Sequence, residues 1–284
     1  MQSEEVQRRR FRQRLMLKNS LAKEMLSEFL GTCIMIFLGC GSVAQSVLSR
    51  GTSGGALAVN VGFSVAVGMA VYVAGGVSGG HINPAVSFAM CLFGRMKWFK
   101  FPFYVGAQLL GAFTGSAILF GVYYDAFMSF AGGELYIVGE NATAQIFATY
   151  PAPYLSLANG FADQVVSTMF LLMVVFAIFD SRNWSVPRGL EPVVIALLIL
   201  VLTTSMELNC GCAMNPARDL GPRLFTALAG WGFGVFKAGN NFWWIPILGP
   251  MVGAAMGGLI YILFIEIHHP NLNTDFEREQ PRTN

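Results

Sequence analysis

Four stretches of this chain carry no Asp, Glu, Lys or Arg over a length sufficient to cross a bilayer. Phe29 to Ser49 runs 21 residues, Gly51 to Gly94 runs 44, Phe101 to Tyr124 runs 24 and Ala238 to Ile265 runs 28. A helix needs about 20 apolar residues to cross a hydrocarbon core of about 30 Å, so the chain reads as a polytopic α-helical membrane protein. The composition agrees: 54% of residues are hydrophobic and 12% charged, against about one-quarter charged in ordinary globular chains. A net charge of +2, with Lys and Arg scattered or terminal, offers no nucleic-acid patch, and no Gly-rich phosphate loop is present. Five cysteines, Cys33, Cys40, Cys91, Cys210 and Cys212, cannot all pair internally, and their spacing implies neither a disulfide framework nor a metal site. No nucleophile, base and metal grouping is arranged for catalysis, so an enzyme is not expected and no cofactor is implied.

Uncharged length places six crossings near 24–46, 57–77, 101–124, 160–180, 190–206 and 243–266. With the N-terminus inside, 14 of the 18 Lys and Arg residues fall on the cytosolic side, the bias that orients membrane proteins. Residues 1–20 form a basic cytosolic tail without a signal-peptide core, and residues 269–284 a second cytosolic tail. Asn141-Ala142-Thr143 is a glycosylation acceptor pattern in the outer segment between the third and fourth crossings. Trp98, Trp243 and Trp244 suit interfacial positions.

The 44-residue stretch is too long for one helix and breaks at Gly79-Gly80-His81-Ile82-Asn83-Pro84. Asn caps helices and Pro is tolerated at the first helical position, so Asn83-Pro84-Ala85 opens a helix whose 11 residues to Gly94 span about 16 Å. Such a helix can enter the bilayer but not cross it. The pattern recurs 132 residues later, where Cys210-Gly211-Cys212-Ala213-Met214 leads into Asn215-Pro216-Ala217 and a short helix to about Leu228. Non-helical backbone at membrane depth is tolerated only where protein or a water-filled path satisfies it. Gly79, Gly80, His81, Ile82, Cys210, Gly211, Ala213 and Met214 are therefore expected to line a pore. The halves also echo upstream, with Glu28 lying 55 residues before Asn83 and Gln164 51 before Asn215. Three crossings per repeat invert the second copy, so the two half-helices meet tip to tip at the midplane. The expected channel domain is 21–268, with repeats at about 21–130 and 155–268.

On these residues the chain resembles the aquaporin superfamily from about residue 20 to 268. Asn215-Pro216-Ala217-Arg218-Asp219, with Gly221-Pro222-Arg223-Leu224-Phe225, is similar to the glycerol-conducting branch, where Asp follows Arg. The resemblance implies a homotetramer with one pore per subunit, a multi-pass plasma-membrane protein with both termini in the cytosol. It also implies an outer constriction formed by Phe63, Thr203, Cys212 and Arg218. Glycerol facilitators place a small residue at the position of Thr203 and an aromatic at that of Cys212, so this filter is expected to be wider on one side and more polar on the other.

Asn83 and Asn215 can donate to a midplane oxygen, while two helix N-termini of about +0.5 charge each repel cations. Arg218 is expected to face the pore rather than lipid, and Asp219 to hold the outer loop. Glu28 and Gln164 are expected to brace the re-entrant loops or His81, and Glu207 to sit in an outward loop. The function implied is passive passage of glycerol, water, urea and other small neutral solutes. A water-selective channel is the first alternative and an ion-coupled transporter, which needs midplane ion ligands, the second.

Overall fold

The computed structural model describes residues 16–270. Of the tails expected at 1–20 and 269–284, residues 1–15 and 271–284 lie outside the described residues. The longer α-helices are, in chain order, α1 (Ser20–Leu48), α2 (Ala56–Ser78), α3 (Pro84–Leu92), α4 (Phe101–Val122), α5 (Tyr124–Phe130), α6 (Leu157–Phe179), α7 (Glu191–Cys210), α8 (Pro216–Ala229) and α9 (Ile245–Phe264). Six helical segments, centred on α1, α2, α4, α6, α7 and α9, are long and apolar enough to span a bilayer. The half-helices α3 and α8 have 9 and 14 residues, about 14 and 21 Å of helix. Neither crosses alone, and end to end they match one membrane thickness of about 30 Å.

Local chemistry sets these boundaries. Asn19 caps α1 by accepting from the Ala22 N–H at 3.3 Å. Spans α2 and α7 both stop at a glycine in the left-handed region, Gly79 and Gly211, where a residue without Cβ ends a helix at little cost. Each half-helix then restarts at Asn-Pro.

The two halves are assembled alike. In the first, α1 packs on α2 and α4; in the second, α6 packs on α7 and α9. The first and third spans of each half approach backbone to backbone. A Cβ on Gly111 or Gly115 would run into the carbonyls of Phe29 or Cys33, and one on Gly253 or Gly257 into those of Val165 or Met169. Small residues four apart are the usual means of such close packing in a bilayer. The halves are also interlocked: α3 packs on α9 and α8 on α4, so each half-helix rests on the third span of the other half.

Two features depart from expectation. Span α7 continues to Cys210 rather than ending near 206, which places Glu207 in its last turn and not in a loop. The charge at Glu207 ends the apolar run, whereas the helix continues until Gly211. The segment after α4 also forms the short helix α5, and the following loop folds back over the molecule, with Phe147 stacked on Phe127 and edge-on to Trp231.

Candidate functional site

Two stretches of backbone leave helical geometry inside the molecule, with matching signs. Gly79, Gly80 and Ile82 have φ of 91°, 63° and 44°, and their counterparts Gly211, Cys212 and Met214 have 75°, 43° and 49°. A side-chain-bearing residue in this region costs about 1–3 kcal/mol and persists only where its surroundings enforce it.

Buried side chains of α1 and α6 do the enforcing. The Glu28 carboxylate, fully buried, accepts from the backbone N–H of His81 at 2.9 Å and of Ile82 at 2.6 Å. It also accepts from the Ser78 hydroxyl at 2.6 Å and the Gln108 amide at 2.8 Å. The Gln164 carbonyl accepts from the Met214 N–H at 3.1 Å, and its NH₂ faces the Cys210 sulfur at 3.1 Å. His81 is not braced through its ring by Glu28; its Nδ1 lies 3.1 Å from the Ser87 hydroxyl.

The asparagines close the arrangement reciprocally. The Asn83 NH₂ donates to the Met214 carbonyl, and the Asn215 NH₂ to the Ile82 carbonyl, both at 2.9 Å. Their carbonyls meanwhile cap the half-helices, accepting from the Ala85 N–H at 2.8 Å and the Ala217 N–H at 3.0 Å. Each NH₂ has two N–H donors: in both residues one holds the opposite loop, and the Asn215 NH₂ also faces the Met35 sulfur at 3.9 Å, whereas the second Asn83 N–H is left for the lumen. Pro84 and Pro216 occupy the first helical positions.

Around this junction lies a cavity of about 380 Å³. Its wall includes Gly79, Gly80, His81, Ile82 and Asn83 from the first loop, and Gly211, Cys212, Ala213, Met214 and Asn215 from the second. Phe63, Thr203 and Arg218 line it as well. Cys210 does not: it is the last residue of α7, and its thiol is directed at the Asp163 carboxylate, 3.3 Å away. The longer helix removes it from the expected lining.

Arg218 and Phe63 face each other, the guanidinium 4.7 Å from the ring centroid. Arg218 donates to the Phe147 carbonyl at 2.6 Å and forms no ion pair among the described residues. Its neighbour Asp219 turns away, accepting from the Thr149 N–H at 2.8 Å and pairing with Arg223 at 2.8 Å, with both partners fully buried. Thr203 contributes less polarity than its hydroxyl promised, because that hydroxyl donates within its own helix to Ile199 at 3.0 Å. The Cys212 sulfur points to the Leu202 carbonyl at 3.8 Å. Asn141 is half-buried and accepts from Arg50 at 3.2 Å, while the Thr143 hydroxyl is buried against Trp231.

The wall also holds residues that sequence reasoning passed over, Met35 and Asn60, with Arg95 near the His81 end, and it includes Glu207, which was expected in an outward loop. Asn60 carried a legible signal, as a polar residue one helical turn from Phe63 inside an uncharged span. Met35 carried none, because an apolar residue in a span has no mark for lumen over lipid.

Comparison with known proteins follows the same lines. The family model described as Major intrinsic protein matches residues 16–261. Aquaporin-9 of Homo sapiens is 75% identical over 270 residues, 95% of this chain and 92% of that protein. Aquaporin-10 of Homo sapiens is 52% identical over 256 residues, 90% and 85% of the two chains. The solved aquaglyceroporin from Plasmodium falciparum superposes with a TM-score of 0.79 at 31% identity, over 86% of this chain and 97% of that one. Family match, identity and fold together cover nearly all of the sequence, and the chain belongs to the major intrinsic protein family, on its aquaglyceroporin branch.

Proposed function

We propose that the chain is a passive channel for glycerol, water, urea and other small neutral solutes, closed to protons and ions. The observation that carries this reading is the reciprocal pair Asn83 and Asn215, each capping one half-helix and holding the opposite loop beside the cavity. A solute oxygen at that junction meets NH₂ donors and two helix N-termini of about +0.5 charge each, a field that repels cations. Loop carbonyls supply acceptors along one wall. Phe63 and the aliphatic side chains of Leu171, Val175, Ile195 and Ile199 supply the other. A polyol with its hydroxyls on one edge and its CH groups on the other fits such a two-sided path.

The filter is assigned to Phe63, Thr203, Cys212 and Arg218, and the bracing to Glu28, Gln164 and Asp219. In this reading the Arg218 end of the pore is the outer mouth and the His81 end the cytosolic one. The basic bias supports cytosolic termini, which places Asn141 outside as a glycosylation acceptor. The unit is a homotetramer in the plasma-membrane bilayer. Exposed apolar side chains along α2 and α7, among them Leu57, Val65, Val73, Leu197 and Val201, supply surface for lipid or neighbouring subunits.

Stopped-flow light scattering on proteoliposomes under glycerol, urea and water gradients tests the function. Flux of all three, without dependence on a proton or sodium gradient, is expected. Water flow with neither glycerol nor urea flux rejects the reading in favour of a water-selective channel.

A further inference from the structure

Asn60 is a polar group that the pore described so far leaves without a task. It lies in α2, is 6% exposed and lines the cavity. The side-chain hydrogen bonds of α2 run from Tyr72 and Ser78, and the Asn60 carboxamide takes part in no protein hydrogen bond among the described residues. The Ser64 hydroxyl, one turn deeper, is sealed in protein without a partner; Asn60 opens onto the lumen instead. Most buried polar groups in native proteins are hydrogen-bonded, and the open side of Asn60 faces the pore.

Its position gives a partner in the pore a role. Residues three apart on a helix share a face, so Asn60 sits about 4.5 Å along α2 from Phe63, on the side away from the asparagine junction. Around this level Glu207 also lines the cavity, whereas several other polar groups hold protein partners. Thr203 donates within α7, the Cys212 thiol faces Leu202, and Arg218 is tied to Phe147. The Asn60 carboxamide keeps one acceptor and two donors.

We propose that Asn60 forms a solute-binding station one helical turn outside the Phe63–Arg218 constriction, for solutes that present a donor and an acceptor side by side. A vicinal diol does so through adjacent hydroxyls, and urea through its C=O and N–H. Such a solute replaces two water contacts at once as it sheds hydration, whereas a single water molecule has no such advantage. Asn60 thereby raises passage of polyols and amides relative to water. This rests on the channel reading above.

The test is stopped-flow permeability of reconstituted Asn60→Leu, near in size but without the amide. Loss of one neutral hydrogen-bonding site should lower the glycerol-to-water and urea-to-water permeability ratios by about three- to tenfold. 1,2-Propanediol should lose more than 1,3-propanediol. Asn60→Ala carries the same expectation should the leucine variant fail to reconstitute, and it separates chemistry from width, because a merely steric role would raise glycerol flux. Unmoved ratios, or an equal fall for all solutes, overturn the station while leaving the channel. Wild-type protein that passes water but neither glycerol nor urea overturns both.

Discussion

The two re-entrant loops share a backbone path but not its chemistry. The first is held by a carboxylate: Glu28 gathers two backbone N–H groups, a hydroxyl and an amide. The second is held by a neutral amide, Gln164, which accepts one backbone N–H from the loop. Beside it the Asp163 carboxylate accepts from the Asn209 amide and the Cys210 thiol at the loop's entrance, and the other charged groups lie farther along, where Arg218 lines the lumen and Asp219 is paired with Arg223 outside it. The inverted repeat therefore fixes where carbonyls and helix ends go, and each half uses its charge differently. The first half concentrates charge on holding its loop, and the second divides it between holding and lining the lumen. A buried carboxylate is tolerable where it is fully hydrogen-bonded, and Glu28 meets that condition without a cation.

This contrast can be broken at several points. The largest effect is expected from Glu28→Ala, which leaves several buried donors unsatisfied at about 1–3 kcal/mol each. Yield of monodisperse protein and its melting in detergent should collapse, whereas Gln164→Ala should cost only about 1–3 kcal/mol. Equal losses would erase the asymmetry between the loops. Next comes Asp219→Ala, which strands the buried Arg223 guanidinium and should destabilise by about 3–5 kcal/mol. Arg218→Ala removes one hydrogen bond and should shift stability by about 1 kcal/mol, while admitting protons or cations in a pH-dye liposome assay. Matching stability losses for Asp219→Ala and Arg218→Ala would refute the division between a holding charge and a lumen-lining one.

The smallest effect concerns the cytosolic end in the proposed orientation. There Asp180 receives the Arg182 N–H at 2.9 Å and contacts His269 at 2.9 Å and Tyr261 at 3.1 Å, with Arg182, Glu266 and Arg95 linked alongside. Burial acts to raise the Asp180 carboxyl, but the hydrogen bonds from Arg182, His269 and Tyr261 outweigh it and hold the group below its ordinary value of 3.8. A depressed carboxylate contributes stability above its unfolded value and loses it as pH falls through the lower folded one. Melting temperature should therefore decline below about pH 4, and Asp180→Asn should flatten that acid limb. An unchanged limb would remove Asp180 as its source.

How much of this was legible in the sequence depended on whether the signal was local. The half-helices could be read because capping asparagine, proline and length act within a few residues. The bracing pair could be read because Glu28 and Gln164 recur at similar distances before the two motifs. The end of α7 could not, since Glu207 breaks the apolar run while Gly211 ends the helix, and Cys210 was carried into the lining with it. The limited polarity of Thr203 was hidden for another reason: whether a helical hydroxyl faces the lumen or its own backbone depends on rotamer, which composition does not record. The fold of the loop through Phe147 depends on aromatic packing against Phe127 and Trp231, contacts distant in sequence. The Asp219–Arg223 pair, four apart on one helix, has a local signature, whereas its burial depends on Thr149 and Val235, which lie outside that helix.

The central claim is that two half-helices meet tip to tip inside the bilayer and are locked by crossed asparagine bonds. A density map of the protein in lipid nanodiscs tests it most directly. The account predicts residues 84–92 and 216–229 within the hydrocarbon layer, with the Asn83 and Asn215 amides in hydrogen-bonding reach of the Met214 and Ile82 carbonyls. Half-helices lying outside that layer, or asparagines each facing only their own loop, would contradict it.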